Sequence, residues 1–297
     1  TVSQFAESMG GSQIYLPADV KVKMEDLLKA VAIASANDAS VAAAEAIAGS
    51  YSKFVNMMNK KAEALDLQNT HFMNSTGLPA ENHYTTARDI SLMARELIKY
   101  EKVLEWTSTW VDYVKLPERE AMLANTNKLV SKYPGMDGLK TGHTRAAGFC
   151  LAATAKRDKV RLISVVLQCD TPEARRESTK KLLDYGFNYF IKRKLVSAEE
   201  KIKNINIPSG QTPIITGKPE SDLHVMVKRG AEVEPEVKVE IEESLEAPLK
   251  KNEVIGKIRV YQEKEKVGAV NIITPQKVEK ANIFIILWRE FVNWIGS

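Results

Sequence analysis

Between residues 25 and 64 apolar positions recur at helical spacing and are broken by short polar stretches. EDLLKAVAIA, ASVAAAEAIAGS and YSKFVNMMNKKAEAL are runs of good helix formers, with the break SAND at 35–38. Leu27, Leu28, Val31 and Ile33 gather on one side of the first run, which predicts helices packed against one another. TARDISLMARELIKY predicts a further helix opening at the capping residue Thr86, and FMNSTGLPAENHY before it reads as loop.

From residue 137 the period changes. DGLKTGHT leads into AGFCLAATA and RLISVVLQC, two strands joined by the polar turn KRDK. TPEARRESTKKLLDYGFNYF follows as an amphipathic helix with Leu182, Leu183 and Phe187 on its apolar side. Helices, strands and a closing helix predict an α/β domain, a sheet with helices packed on it, over residues 1–190. After IKRKLVSAEEK the chain alternates apolar and polar residues in short runs bounded by Pro and Gly, predicting a small all-β domain over 191–276.

Residues 277–297 predict a C-terminal amphipathic helix. Asn282, Arg289 and Asn293 share one face; Phe284, Leu287, Trp288, Phe291 and Ile295 take the other. The apolar run is too short to span a bilayer, so the expectation is a helix lying in a membrane interface, with Trp288 and Trp294 at the headgroup level.

Composition adds limits. Hydrophobic residues at 44% and charged residues at 27% match an ordinary folded protein. With 42 basic against 38 acidic residues and no basic stripe, a nucleic-acid partner is not expected. A hairpin turning near Arg157 and Asp158 sets Cys150 opposite Val165, about 13 Å from Cys169 at strand rise, too far for a disulfide. The opening TVSQFAESMGGS has neither an initiator methionine nor a signal segment, and reads as an internal point of a longer precursor.

Two short motifs carry candidate chemistry. In SAND, Ser35, Asn37 and Asp38 are all residues that cap helices. In Lys140-Thr141-Gly142 a cation, a hydroxyl and a gap in side-chain bulk lie along one extended edge, suited to an anionic peptide end. A Ser-x-Asn at a helix junction followed by Lys-Thr-Gly at a strand start matches two of three elements of the penicillin-recognising serine enzymes.

Together with GGSQIYL, DLLKAVAIASANDASVAAAE, NTHFMNSTGLPAENHYTT and MDGLKTGHTRAAGFCLAATAKRDKVRLISVVL, these motifs make the chain resemble the serine D-alanyl-D-alanine carboxypeptidases, the low-molecular-mass penicillin-binding proteins. The resemblance runs from Thr1 to about Phe190; the β domain and terminal helix match that family's layout less specifically. It implies a β-lactamase/transpeptidase-like domain and removal of the terminal D-alanine of peptidoglycan stem peptides through a serine acyl-enzyme. It also implies acylation by β-lactam antibiotics, no cofactor or metal, and a place on the extracytoplasmic membrane face.

For single residues the resemblance implies that Ser35 joins the proton relay and that Asn37 hydrogen-bonds the substrate amide. Lys140 would stabilise developing charge, Thr141 would bind the terminal carboxylate, and Gly142 would let the peptide lie against the strand edge. The backbone N–H of His143 would form half of the oxyanion hole, with its imidazole outside the acid–base chemistry.

The family's Ser-x-x-Lys nucleophile element has no match before Ser35. Ser50 to Lys53 fits the pattern but is separated from Asn37 by a helix, about 17 Å at helical rise; Ser178 to Lys181 lies inside a later helix. The 297-residue chain is therefore expected to be inactive as written. The alternatives are a non-catalytic peptidoglycan-binding relative and a β-lactamase; the appended β domain and apolar helix weigh against the latter.

Overall fold

The computed structural model describes residues 1–230 and 234–295, and within the last helix the side chains of 283–289 and 291. The chain divides into two compact units, Thr1–Asn188 and Tyr189–Ser297.

The first unit begins with α1 (Gln4–Glu7) and α2 (Met24–Lys29), which widens into a π-turn over Ala30–Ala34. α3 (Asn37–Ala48) and α4 (Tyr51–Ala64) follow. α3 ends because Gly49 takes a left-handed conformation and its N–H bonds Glu45 O; Ser50 then caps α4 by accepting from Lys53 N. Thr86 caps α5 (Ala87–Leu97) by accepting from Asp89 N, as expected. α6 (Glu101–Ser108) precedes a hairpin, β1 (Val111–Lys115) and β2 (Glu120–Ala124).

The helices close around Leu16, Leu27, Ile33, Val41, Val114 and Leu123. Alanine dominates α3 because the helix is buried almost all round from Asn37 to Ala44, and small side chains let its neighbours approach.

The sheet of this unit is antiparallel with order β3-β4-β5: Met136–Thr144, Gly148–Arg157 and Val160–Cys169. α7 (Pro172–Tyr189) packs on it through Leu183, which joins Leu129, Met136, Leu151 and Ala153 in a second core. The buried stripe of α7 is Arg175, Thr179 and Leu183, four residues apart; Leu182, expected on that side, is 49% exposed.

The β4–β5 register also differs from expectation. Ala152, not Cys150, faces Val165, and a bulge brings Phe149 opposite Cys169. Cys150 and Cys169 are both free.

In the second unit, IKRKLV belongs to β6 (Phe190–Val196), which pairs with β10. The other strands are β7 (Asn204–Asn206), β8 (Ile214–Thr216), β9 (Lys218–Pro219), β10 (Leu223–Lys228), β11 (Glu236–Ile241), β12 (Val254–Gln262) and β13 (Glu265–Ile273). They form pairs β10-β6 and β7-β8 and the sheet β11-β12-β13-β9, around Ile207, Ile255, Ile258, Val260 and Ile272.

α8 (Ile283–Ile295) closes the chain. Asn282 accepts from Ile285 N at its start, and Arg289 donates to the carbonyls of Gly210 and Gln211. Phe284 at 78% and Trp288 at 66% exposure, with Leu287 and Phe291, face outward. The side chains of Asn293, Trp294 and Ile295 lie outside the described residues. Among the described residues no helix is long and apolar enough to cross a membrane.

Candidate active site

The π-turn ahead of Ser35 has a local consequence: Ser35 ends it with φ 62° and ψ 35°, in the left-handed region that serine seldom adopts. Its Oγ accepts a hydrogen bond of 2.7 Å from Lys140 Nζ, which also donates to Thr141 O at 2.8 Å. Lys140 sits on β3, which lies at the edge of its sheet. The residue as a whole is half-buried, but loss of water around the ammonium, helped by the charge of Arg175, brings its pKa down to about 8.

Asn37 is held by the amino-terminal loop. Its backbone N–H donates to Ser12 O at 2.7 Å, and its Nδ2 to Gly10 O at 2.7 Å. A Cβ on Gly11, at φ +80°, would come within 2.8 Å of that Nδ2, so the loop can close here only with glycine. With its nitrogen engaged, the Asn37 side chain has its carbonyl oxygen, an acceptor, left to offer to the cleft.

The capping role open to Asp38 is not the one it takes. Asp38 is fully buried and accepts from the N–H groups of Ile14, Leu16 and Ala39, so it pins the loop rather than capping a helix by itself.

Thr141 Oγ1 donates to Thr126 Oγ1 at 2.7 Å. Thr126 is fixed by its flanks: Asn125 donates to the carbonyls of Thr107 and Thr109, and Asn127 to that of Gly138. Ser35, Asn37, Thr126, Lys140, Thr141, Gly142 and His143 all line one cleft of about 980 Å³. All six site residues expected from the sequence are thus brought together.

Arg175 completes the cleft wall and was not foreseen. It is 8% exposed; one Nη donates to Cys150 O at 3.4 Å, and its Nε has no hydrogen-bond partner among the described residues. Its guanidinium lies 5.9 Å from the Phe149 ring, which stacks on the His143 imidazole at 4.0 Å. The cleft therefore holds two cations, Lys140 and Arg175, an arrangement suited to an anion.

His83, on the loop between α4 and α5, also lines the cleft, with Nδ1 buried and unpartnered among the described residues. Burial, and secondarily His71, lower its pKa, which favours the neutral ring.

The two Ser-x-x-Lys matches lie away from the cleft. Ser50 is the partly exposed cap of α4, and Ser178 falls within α7; neither is part of the cleft lining. No group of three or more metal-ligating side chains occurs among the described residues.

A helical layer against an antiparallel sheet, with a Ser-Lys hydrogen bond at the sheet edge, is the arrangement expected of a penicillin-recognising serine enzyme. Residues 1–171 match the D-alanyl-D-alanine carboxypeptidase family, and residues 190–280 match the penicillin-binding protein 5 C-terminal domain. The chain belongs to the D-alanyl-D-alanine carboxypeptidase family.

Among its relatives, D-alanyl-D-alanine carboxypeptidase DacF of Bacillus subtilis is 37% identical over 295 residues, covering 98% of this chain and 76% of DacF. DacC of Escherichia coli is 32% identical, covering 97% of this chain and 73% of DacC. Penicillin-binding protein 5 from Haemophilus influenzae superposes with a TM-score of 0.78 at 30% identity, covering 94% of this chain and 82% of that one. The peptidoglycan synthesis regulatory factor PBP3 from Streptococcus pneumoniae gives 0.78 at 27% identity, covering 94% and 84%.

Proposed function

We propose that this chain serves a serine D-alanyl-D-alanine carboxypeptidase of the cell wall, and that residues 1–188 hold the peptide and move protons for it. The observation that carries this reading is the 2.7 Å hydrogen bond from Lys140 Nζ to Ser35 Oγ at a free strand edge. A stem peptide adds to the β3 edge as an extra strand, over Gly142 where no side chain intervenes. Asn37 accepts from its amide through Oδ1. Thr141, held by Thr126, and Arg175 receive the terminal carboxylate, a charge-assisted contact in a partly desolvated cleft.

A lysine with its pKa near 8 can take up or release a proton near neutral pH, and Ser35 relays it toward the leaving amine. The N–H of His143 points the reading to an oxyanion site beside the scissile carbonyl. The nucleophile is not assigned to these residues, because no Ser-x-x-Lys element lies ahead of Ser35. β-Lactams present a carboxylate beside a strained amide and enter as peptide mimics.

The exposed apolar face of α8 seats the protein on the extracytoplasmic membrane surface, without spanning it. What supports this is the outward Phe284, Leu287, Trp288 and Phe291, opposite the docked Arg289.

Titrating an acylated Lys-D-Ala-D-Ala peptide while following the backbone amide signals of residues 140–143 tests the peptide site. Saturable shifts there, lost when the peptide ends in a carboxamide, are expected; equal binding of acid and amide overturns the assignment of Thr141 and Arg175.

A further inference from the structure

Cys150 faces Gly142 directly across the β3–β4 ladder, and a Cβ built on Gly142 would stand 3.9 Å from the Cys150 Cβ. The bare glycine leaves that side of the strand pair open. Cys150 is free and partly exposed, its Sγ donating to Ala147 O at 3.2 Å, and it lines the same cleft as Lys140 and Thr141. Cys169 lies outside the cleft lining.

A second, independent feature points to a ligand here. Arg175, more than nine-tenths buried, lines the cleft with an Nε that has no partner, and its Nη reaches the carbonyl of Cys150 itself. A nucleophilic sulfur and a desolvated cation therefore share one pocket wall, beside the position given above to the peptide carboxylate.

The geometry points to Cys150 as a covalent modification site that takes small carboxylate-bearing disulfides by thiol–disulfide exchange, the carboxylate docking on Arg175 and the adduct filling the space over Gly142. The inference rests on the peptide-site reading for its consequence, closure of the site, but not for its chemistry. Cys150 gives its proton to water and its sulfur attacks one sulfur of the disulfide. A new S–S bond forms and the old one breaks, and the electron pair leaves with the departing thiolate. The incoming disulfide is the oxidant, and a thiol reductant reverses the step. Small disulfides persist in the oxidising surroundings of an exported protein, where a free thiol in a cleft is exposed to them.

The experiment treats the full 297-residue chain with dithiobis-nitrobenzoate, which carries carboxylates, or with uncharged dithiodipyridine, and measures adducts at Cys150 and Cys169 by peptide mass spectrometry. Each rate is taken relative to that reagent's rate with a free model thiol. Cys150 is expected to favour the anionic reagent by about tenfold or more, the order by which a cationic cleft concentrates anions. Arg175→Met should remove that preference while leaving the reaction with dithiodipyridine, and Arg175→Lys should retain most of it. Should Arg175→Met not fold, high salt applied to the unaltered chain should shrink the preference instead.

A preference absent from the unaltered chain, one that survives Arg175→Met in a folded protein, or modification mainly at Cys169 overturns the inference. A D-Ala-D-Ala peptide that slows Cys150 modification supports both readings. An anion-selective Cys150 that the peptide leaves unprotected supports this one and counts against the peptide site.

Discussion

Lys140 Nζ and Ser35 Oγ meet at 2.7 Å although 105 residues separate them. The bond links the end of the helical layer to the edge strand of the sheet, so the chemistry of the cleft depends on how those two layers of the first unit are held.

The buried ammonium should show itself in stability against pH. Lys140 is brought down to about 8 in the fold from an ordinary 10.5, so between those values the unfolded chain binds more protons. Its contribution to stability therefore rises with pH across that window and is absent below it. Tyr133 acts oppositely above pH 10, because burial and Asp184 raise its pKa. Urea unfolding at pH 7.5 and 9.5 should show a gain for the unaltered chain that Lys140→Met lacks.

Thr126→Val removes the hydroxyl that receives Thr141 Oγ1 but keeps the shape. Loss of one hydrogen bond of about 1 kcal/mol should weaken a D-Ala-D-Ala peptide about fivefold with little effect on unfolding. Calorimetric titration of the two proteins checks it; unchanged affinity would remove Thr126 from the site.

Asp38→Asn should harm the fold more than its conservative size suggests. A buried carboxylate accepting from three backbone N–H groups is replaced by an amide whose NH2 cannot accept, and a cost of about 2–4 kcal/mol is expected. Urea denaturation measures it, and protection of the Ile14 and Leu16 amides from hydrogen exchange should fall with it.

A polypeptide of residues 1–297 is expected not to attach labelled penicillin, since neither Ser-x-x-Lys match lies at the cleft and loss of a serine nucleophile costs up to about a million-fold in turnover. Covalent label on Ser50 or Ser178 in a digest would overturn this.

Vesicle binding by α8 should be governed by apolar burial, worth several kcal/mol for one helical face. Sedimentation with uncharged vesicles should survive high salt and be lost on Trp288→Glu or on deletion of residues 281–297. A deleted chain that still sediments would assign the exposed face another role.

Helices α2 through α5 and α7 were legible because local signals set them: Thr86 caps α5, and apolar spacing marks α2 through α4, whereas α6 and the β1–β2 hairpin were not read from the sequence. That the six candidate residues share one cleft was legible because two short motifs carry them. The β4–β5 register was missed locally: the turn falls at Asp158 and Lys159, one residue later than expected, with Asp158 in the left-handed region. What else failed depended on contacts distant in sequence. Arg175 has no motif; on α7 it reads as one more surface charge until the sheet covers it. Asp38 looked like a cap because nothing in SAND announces that Ile14 and Leu16 will bring their N–H groups to it.

Position 35 is subject to two filters that do not coincide. The proton relay proposed for Ser35 asks for a hydroxyl, which threonine would supply as well as serine. The left-handed backbone at φ 62° asks for glycine, asparagine or another unbranched residue, and penalises a branched Cβ. Threonine passes the first filter and fails the second; glycine does the reverse. The π-turn thus narrows the alphabet at this position to serine, and a change in the winding of α2 would alter which residue the chemistry can use.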